Sequence, residues 1–332
     1  MMTTPTFWYE KDFLSKFKSY LLIPLSIIWV LLSRIKAILA KPYNSKLKVI
    51  CVGNLTIGGT GKTPFAISTF KWLKDLGYNP VFLTRGYGGK QIEPMEVKTF
   101  HKHKDVGDEA LLLSKIGTTI VSKNRSSGAK FIESHQSNFD IIIMDDGLQN
   151  NQLHKNFNIL LVDKNLMFGN ELCIPAGPLR ETISSGLLNI DAIILTGNNE
   201  TIDYNHNIFI KEIPIFESVI SLQKIFEANQ DKFLAFCGLG NPHKFYKTLK
   251  QNGFNLIQKK SFPDHYQYND SDINNLRQEA KKYKLKLITT EKDYVKINEH
   301  NNTLINVASI NITMEDKQLV KFKALIKESI DG

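Results

Sequence analysis

Between Lys48 and Pro64 the chain reads KVICVGNLTIGGTGKTP, and no other stretch restricts the possible folds so strongly. The apolar, β-prone run Val49, Ile50, Cys51, Val52 ends in a glycine-rich turn. Gly61-Lys62-Thr63 then opens a segment with helical periodicity at Phe65, Ile67, Phe70, Trp72, Leu73 and Leu76. Strand, loop and helix in that order are the setting a phosphate-binding loop requires. Glycines at 58, 59 and 61 let the backbone approach phosphates closely, and the N–H groups at the helix start aim partial positive charge at them. In this reading Thr56, Ile57, Gly58, Gly59, Thr60, Gly61, Lys62 and Thr63 wrap a nucleotide. Lys62 reaches the β- and γ-phosphates, and the Thr63 hydroxyl holds Mg²⁺. Thr56 stands where the general pattern G-x-x-x-x-G-K-[ST] has its first glycine. The competing reading is a turn that merely joins strand to helix, and the flanking segments argue against it.

The second strong signal is the run FDIIIMDDG at 139–147. A continuous apolar stretch ending in acid is how a buried parallel strand delivers a carboxylate to Mg²⁺ beside a phosphate loop. Asp145 and Asp146 are therefore the expected metal-supporting pair. Further apolar runs at 80–84, 118–122, 158–163 and 191–196 complete the strands expected of one α/β domain over residues 43–200. Residues 201–230 read as an extended linker. A second, smaller α/β pattern occupies 231–332 and ends in a helix from Asp316 to Ile330. The fold class is thus α/β: a phosphate-loop type, mostly parallel sheet with flanking helices, a smaller α/β domain and an apolar N-terminal helical segment.

That N-terminal segment, within residues 1–42, is unlike the rest. Its uncharged centre from Ser19 to Ser33 is ~15 residues, about 22 Å as a helix against ~30 Å of hydrocarbon, and Pro24 interrupts it. Lys11, Lys16, Lys18, Arg34 and Lys36 flank it, with Phe7, Trp8, Tyr9 and Trp29 as interfacial aromatics. This composition suits a segment lying in one leaflet of an anionic membrane. A signal peptide and a core-packed helix are the competing readings; export would separate the phosphate loop from ATP.

Composition adds limits. With 332 residues the chain can bury two cores, and a net charge of +9 suits a protein that meets anions. The lysines are spread out with no basic block among aromatics, so nucleic acid is not expected. Cys51, Cys173 and Cys237 lack metal-ligand spacing and read as reduced thiols of a cytosolic compartment, and the two that fall in expected strands read as small buried apolar residues. Among loops, Arg85-Gly86-Tyr87-Gly88-Gly89 follows a strand end, where ligands of open sheets bind. Gly107-Asp108-Glu109 starts a helix, so its acids serve either as dipole-complementing caps or as catalysts. The proline-stiffened loop 174–181 carries Arg180, suited to phosphate or transition-state charge. Phosphoryl transfer also needs a base, and Asp108 and His265 are the candidates, provided the two domains face each other across a cleft.

Taken together, GNLTIGGTGKTP, TRGYGG, VGDEA, DDGLQ, PAGPLRE, FCGLGNPHKF, FPDHY and TTEKDYVKI occur in an order that closely resembles the tetraacyldisaccharide 4'-kinases, the lipid A disaccharide kinases. The resemblance extends from the apolar segment to about residue 300. It implies ATP- and Mg²⁺-dependent phosphorylation of the 4'-hydroxyl of a tetraacylated glucosamine disaccharide 1-phosphate. The setting it implies is the cytoplasmic face of the bacterial inner membrane, with the lipid and the membrane surface as partners and no protein partner. By motif, Asp108 resembles the family's catalytic base, His265 its dyad partner and Lys62 the phosphate-holding lysine. Arg125 and Arg180 match arginines expected at nucleotide or substrate phosphate, with Arg85 and Tyr87 in the substrate loop. The alternative from another class is a membrane-associated ATPase of the partition or septum-positioning type, which also uses GGxGKT. That class carries a lysine where this chain has Ile57, and it needs no second α/β domain.

Overall fold

The computed structural model describes residues 4–134, 138–197, 212–223, 231–297 and 304–332. In chain order the larger half comprises α1 (Phe13–Leu39), β1 (Lys48–Gly53), α2 (Lys62–Asp75), β2 (Pro80–Thr84), β3 (Met95–Glu96), α3 (His103–Val106) and α4 (Asp108–Ser114). It continues with β4 (Thr119–Val121), α5 (Arg125–Glu133), β5 (Ile141–Asp145), β6 (Phe157–Asp163), α6 (Ile183–Gly186), β7 (Ala192–Thr196) and β8 (Ile215–Leu222). The rest comprises β9 (Lys232–Cys237), α7 (Pro242–Gln251), β10 (Asn255–Ser261), α8 (Asp270–Lys282), β11 (Lys286–Thr290), α9 (Glu291–Tyr294), β12 (Ile305–Ala308), β13 (Ile310–Thr313) and α10 (Asp316–Asp331).

Two sheets result. The larger has the order β13-β8-β7-β6-β1-β5-β2-β4-β3, with parallel pairing from β8 through to β4 and antiparallel strands at both edges. The smaller, β10-β9-β11-β12, is parallel throughout. Side chains alternate across the larger sheet. Ile50 and Val52 face a core built with α2, while Val49 and Cys51 face one built with Ala129 and Ile132 of α5. Burial on both faces explains the continuous apolar runs at 49–52 and 141–144. Register matters for the site: Val52 pairs with Asp145, so the ends of β1 and β5 deliver the phosphate loop and the acidic pair side by side.

Three expectations from the sequence change here. Of the expected 201–230 linker, residues 201–211 and 224–230 lie outside the described residues. Ile215–Leu222 within it is a strand of the larger sheet, its inward residues Phe216 and Ile220 buried in that core. The closing helix does not stay with the smaller sheet. Strand β13 pairs antiparallel with β8, and α10 packs Phe322 against Phe65, Trp72 and Phe216 of the larger core. The apolar stripe of α10 finds its partner there because α2 and β8 leave an aromatic pocket that a fully buried Phe322 fills.

The third change is that Pro24 does not interrupt α1, which runs unbroken for 27 residues. Contacts on both sides of the proline hold the two halves in line. Ser19 Oγ accepts from Asn170 Nδ2 at 2.9 Å, Ser26 Oγ donates to Cys173 O at 2.7 Å, and Trp29 Nε1 donates to Arg180 O at 2.8 Å. At this length and hydropathy α1 is long and apolar enough to cross a membrane. Its burial is inverted relative to a core helix. Ser15, Ser19 and Ser26 are buried, whereas Phe13, Leu21, Leu32 and Ile38 are exposed by 84, 70, 61 and 81%.

Candidate active site

The phosphate loop is held by its neighbours before any ligand arrives. Ile57 N donates to Pro178 O at 2.8 Å, Arg180 N donates to Leu55 O at 2.7 Å, and Thr196 Oγ1 donates to Thr60 O at 3.2 Å. Gly58 and Gly61 have φ of 129° and 87°, the left-handed region that a side chain resists. Thr56 is not among the positive-φ residues and forms an antiparallel bridge with Leu179, so a β-branched residue suits the position. Lys62 Nζ donates to Asn54 Oδ1 at 3.2 Å and lies 3.6 Å from Asp146 Oδ2.

Thr63 Oγ1 donates to Asp145 Oδ2 at 2.9 Å, while Asp145 Oδ1 and Thr60 Oγ1 are buried without a hydrogen-bond partner. Burial first, then the charges of Glu109 and Asp146, push the Asp145 carboxyl upward. A buried acceptor with no donor, among carboxylates that repel it, is what a divalent cation would relieve. Among the described residues no group of three or more metal-ligating His, Cys, Asp or Glu side chains occurs. The donors present, the Thr63 hydroxyl and the Asp145 and Asp146 carboxylates, are of the type that holds Mg²⁺, which is commonly bound by one or two carboxylates together with substrate phosphates and water. Asp146 sits at φ 52° and is gripped by Arg180 through bonds of 2.7 and 3.2 Å. Arg180 thus meets a carboxylate of the acidic pair. Burial pushes the Asp146 carboxyl up, but Lys62 and Arg180 outweigh it and hold it below the usual range.

Arg125 is 2% exposed at the start of α5, its guanidinium donating to Ser122 O at 2.7 Å and its Nε without a partner. Burial and the nearby charge of Arg85 lower it to about 10, so it remains a cation at neutral pH. Arg85 and Tyr87 are exposed and line the same cleft. The glycines around them serve close packing: a Cβ on Gly107 would lie 2.5 Å from Tyr87 O. Backbone contact between the two loops sets the Tyr87 ring 4.9 Å from that of His265.

Asp108, 4% exposed, starts α4 at the edge of the larger sheet's half, and His265 comes from the loop after β10 of the smaller sheet. His265 Nδ1 and Asp108 Oδ2 are 3.0 Å apart, and Asp108 Oδ1 accepts from Glu109 N at 3.0 Å. Burial pushes the Asp108 carboxyl up, yet the His265 hydrogen bond and the Lys292 charge outweigh it and hold it at about 2. The required interdomain cleft therefore exists, and the two residues separated by 157 positions meet in it.

Residues without an assigned role in the sequence also gather here. Lys292, in the first turn of α9, lies 3.2 Å from Glu109 Oε1 and 3.3 Å from His265 Nε2. Gln149 Nε2 donates to Asn54 O and Glu181 Oε1. The available signal for Lys292 was TTEKD itself, an apolar strand ending in a Thr cap with a lysine two residues after it. A continuous cavity of about 1790 Å³ runs from the phosphate loop past Glu109, His265 and Lys292 to Trp29 and Lys36 of α1. That exceeds the ~300–1,000 Å³ of a usual small-molecule site, leaving room for two ligands.

Known proteins agree with this architecture. A family model described as tetraacyldisaccharide-1-P 4'-kinase matches residues 18–330. The tetraacyldisaccharide 4'-kinase of Rickettsia typhi is 38% identical over 326 residues, covering 97% of this chain and 98% of that one. Its counterpart in Rickettsia felis is 37% identical over 329 residues, with 98% of each chain covered. A crystal structure of "apo" form LpxK from Aquifex aeolicus in complex with ATP superposes with a TM-score of 0.74 at 27% identity, over 94% of this chain and 99% of that chain. On a match spanning both sheets and the cleft between them, this chain belongs to the tetraacyldisaccharide-1-P 4'-kinase family.

Proposed function

We propose that this chain transfers the γ-phosphoryl group of ATP to the 4'-hydroxyl of a tetraacylated glucosamine disaccharide 1-phosphate at the cytoplasmic face of the inner membrane. The observation that carries this reading is the Asp108–His265 contact in a cleft that has the phosphate loop at one end and the apolar helix α1 at the other. A partition-type ATPase has no use for such a pair delivered by a second sheet.

The residues divide the work as follows. The phosphate loop from Thr56 to Thr63 cradles the triphosphate, and Lys62, once it exchanges Asn54 for phosphate, holds the β- and γ-groups. Thr63, Asp145 and Asp146 would hold Mg²⁺, which when bound neutralises charge on the phosphates. Arg180 orients Asp146 for that task through its two bonds. Arg125, buried and charged with one donor unspent, is suited to phosphate oxygens, and Arg85 and Tyr87 face the acceptor sugar.

Asp108 is the proton acceptor for the 4'-hydroxyl. A carboxyl held near 2 is a weak base, but phosphoryl transfer has a loose transition state in which positioning outweighs basicity. His265 supplies that positioning. The inverted α1 brings the enzyme to a lipid whose chains cannot leave the bilayer cheaply, at ~0.8 kcal/mol per CH₂. Because Ser19, Ser26 and Trp29 bind α1 along one side to the loop 170–180, the helix lies against the protein and turns its other side to lipid, a peripheral arrangement. Incubation with γ-labelled ATP, Mg²⁺ and the acylated disaccharide tests the reading. Label on the sugar is expected, and ATP hydrolysis stimulated only by a partner protein rules the kinase out.

A further inference from the structure

Lys292 joins the dyad from the smaller sheet. Its ammonium lies 3.3 Å from His265 Nε2, 3.2 Å from Glu109 Oε1 and 3.9 Å from Asp108 Oδ2. An ammonium only donates, so the Nε2 it meets must accept. The opposite ring nitrogen, Nδ1, faces a carboxylate, which only accepts, so Nδ1 must carry the proton. The pattern has one solution, a neutral ring with a single proton on Nδ1. A second proton on Nε2 would set an N–H against an ammonium.

Without the lysine, this ring is surrounded by groups that invite a second proton. Asp108 lies on one side, and Asp264 of its own loop has Oδ1 4.0 Å from Nε2. Glu109 stands behind Lys292, and Tyr87 adds only an uncharged ring face. Lys292 is the one cation in direct contact with the imidazole among the described residues. The neighbouring residue secures it. Asp293, fully buried, accepts from Gly238 N, Tyr268 Oη and Thr290 Oγ1 at 3.0, 3.1 and 2.6 Å and pairs with Lys296 at 2.8 Å. Gly238 O in turn accepts from His265 N at 3.3 Å. One buried carboxylate therefore fixes the backbone that launches both Lys292 and His265.

We propose that Lys292 is a positioning residue that keeps His265 singly protonated with its Nε2 lone pair occupied, so that Asp108, and not the imidazole, takes the proton of the acceptor hydroxyl. The inference rests on the kinase reading of the site and goes beyond it by assigning the roles within the pair. A ring that gained a second proton would place a full cation 3.0 Å from Asp108, in direct hydrogen-bond contact and closer than the Lys292 ammonium at 3.9 Å, and would weaken it as an acceptor. Loss of Lys292 should therefore be most damaging at low pH and milder as the ring loses its extra proton.

The test combines ¹⁵N-histidine spectra with pH–rate profiles for the wild type, Lys292→Met and Lys292→Arg, with folding checked by thermal melts. In the wild type at pH 7 the His265 signal, assigned by its loss in His265→Ala, is expected to show a neutral ring protonated on Nδ1. In Lys292→Met it should show both nitrogens protonated. The kcat of that variant should fall about 10-fold or more on the acid side of its profile and recover toward the wild type on the alkaline side, with the KM for ATP within about twofold. Lys292→Arg, also a pure donor, should keep the wild-type spectrum and profile shape. A doubly protonated or Nε2-protonated ring in the wild type overturns the proposal without recourse to any variant, as does an unaltered pH profile in a folded Lys292→Met. Failure of the kinase reading would look different: the wild type itself would put no label on the sugar at any pH, whereas failure of the present proposal leaves that label in place.

Discussion

Ser26 Oγ donates to the carbonyl of Cys173 at 2.7 Å while accepting from Ala176 N at 3.1 Å. A serine in the middle of an apolar helix thus satisfies two backbone groups of the loop that carries Arg180, and the leucines and isoleucines of α1 are left facing outward. The arrangement reverses the usual rule for helices that dock on a protein core. It makes sense where the outer medium is hydrocarbon. We predict that deleting residues 1–40 moves the protein from vesicles of anionic phospholipid to the supernatant in a flotation assay. Continued flotation would show that α1 is not the anchor.

In the proposed mechanism the Asp108–His265 pair, in contact at 3.0 Å, acts on the transferring proton and not on nucleotide affinity. Asp108→Ala and His265→Ala should each lower kcat by about 10²–10⁴-fold while leaving the KM for ATP nearly unchanged. Steady-state kinetics at saturating acylated disaccharide provide the measurement. A loss confined to ATP KM would place these residues in the nucleotide site instead.

The same carboxylate has a thermodynamic signature. Asp108 is held at about 2 in the folded chain, against about 3.9 for a free aspartate, so the unfolded chain takes up the proton first as the pH falls. Its contribution, about 2–3 kcal/mol, is complete above about pH 5, declines through pH 4 and is gone only near pH 1. Urea melts between pH 6 and 3 should therefore show a smaller acid loss for Asp108→Asn than for the wild type. Parallel curves would contradict the ion-pair environment.

Helix α10 tests how the end of the chain is used. Phe322→Ala empties an aromatic pocket formed by Phe65, Trp72 and Phe216 and should destabilise the protein by about 3–5 kcal/mol. Because the lost contacts belong to the larger core, ATP should recover part of the melting temperature by binding the folded state. If the melt is unchanged, α10 does not hold the larger sheet together.

Much of the larger half could be read directly. Its parallel strands are buried on both faces and so appear as apolar runs, and Pro80–Thr84 falls where its run does. The phosphate loop and the acidic pair are short local signals, each adjoining a strand end. Edge strands were harder. Met95–Glu96 and Ile310–Thr313 are brief and half-buried, with no run long enough to distinguish them from loop. Lys292 was hidden for a related reason: a single lysine in a helical first turn resembles any solvated cation until the opposite lobe is in place.

By itself the linear order of residues determined a nucleotide loop, an acid-tipped strand beside it, a basic and aromatic apolar arm, and two α/β patterns. All of these depend on neighbours within a few positions, where backbone periodicity leaves its mark. Only the tertiary structure decided that α1 turns its serines inward, that residues 310–331 return to the first sheet, and that Asp108, His265 and Lys292 meet. Those outcomes depend on contacts between segments more than a hundred residues apart, whose geometry is set by how two sheets and a helix share buried surface and charge, quantities that no local pattern encodes.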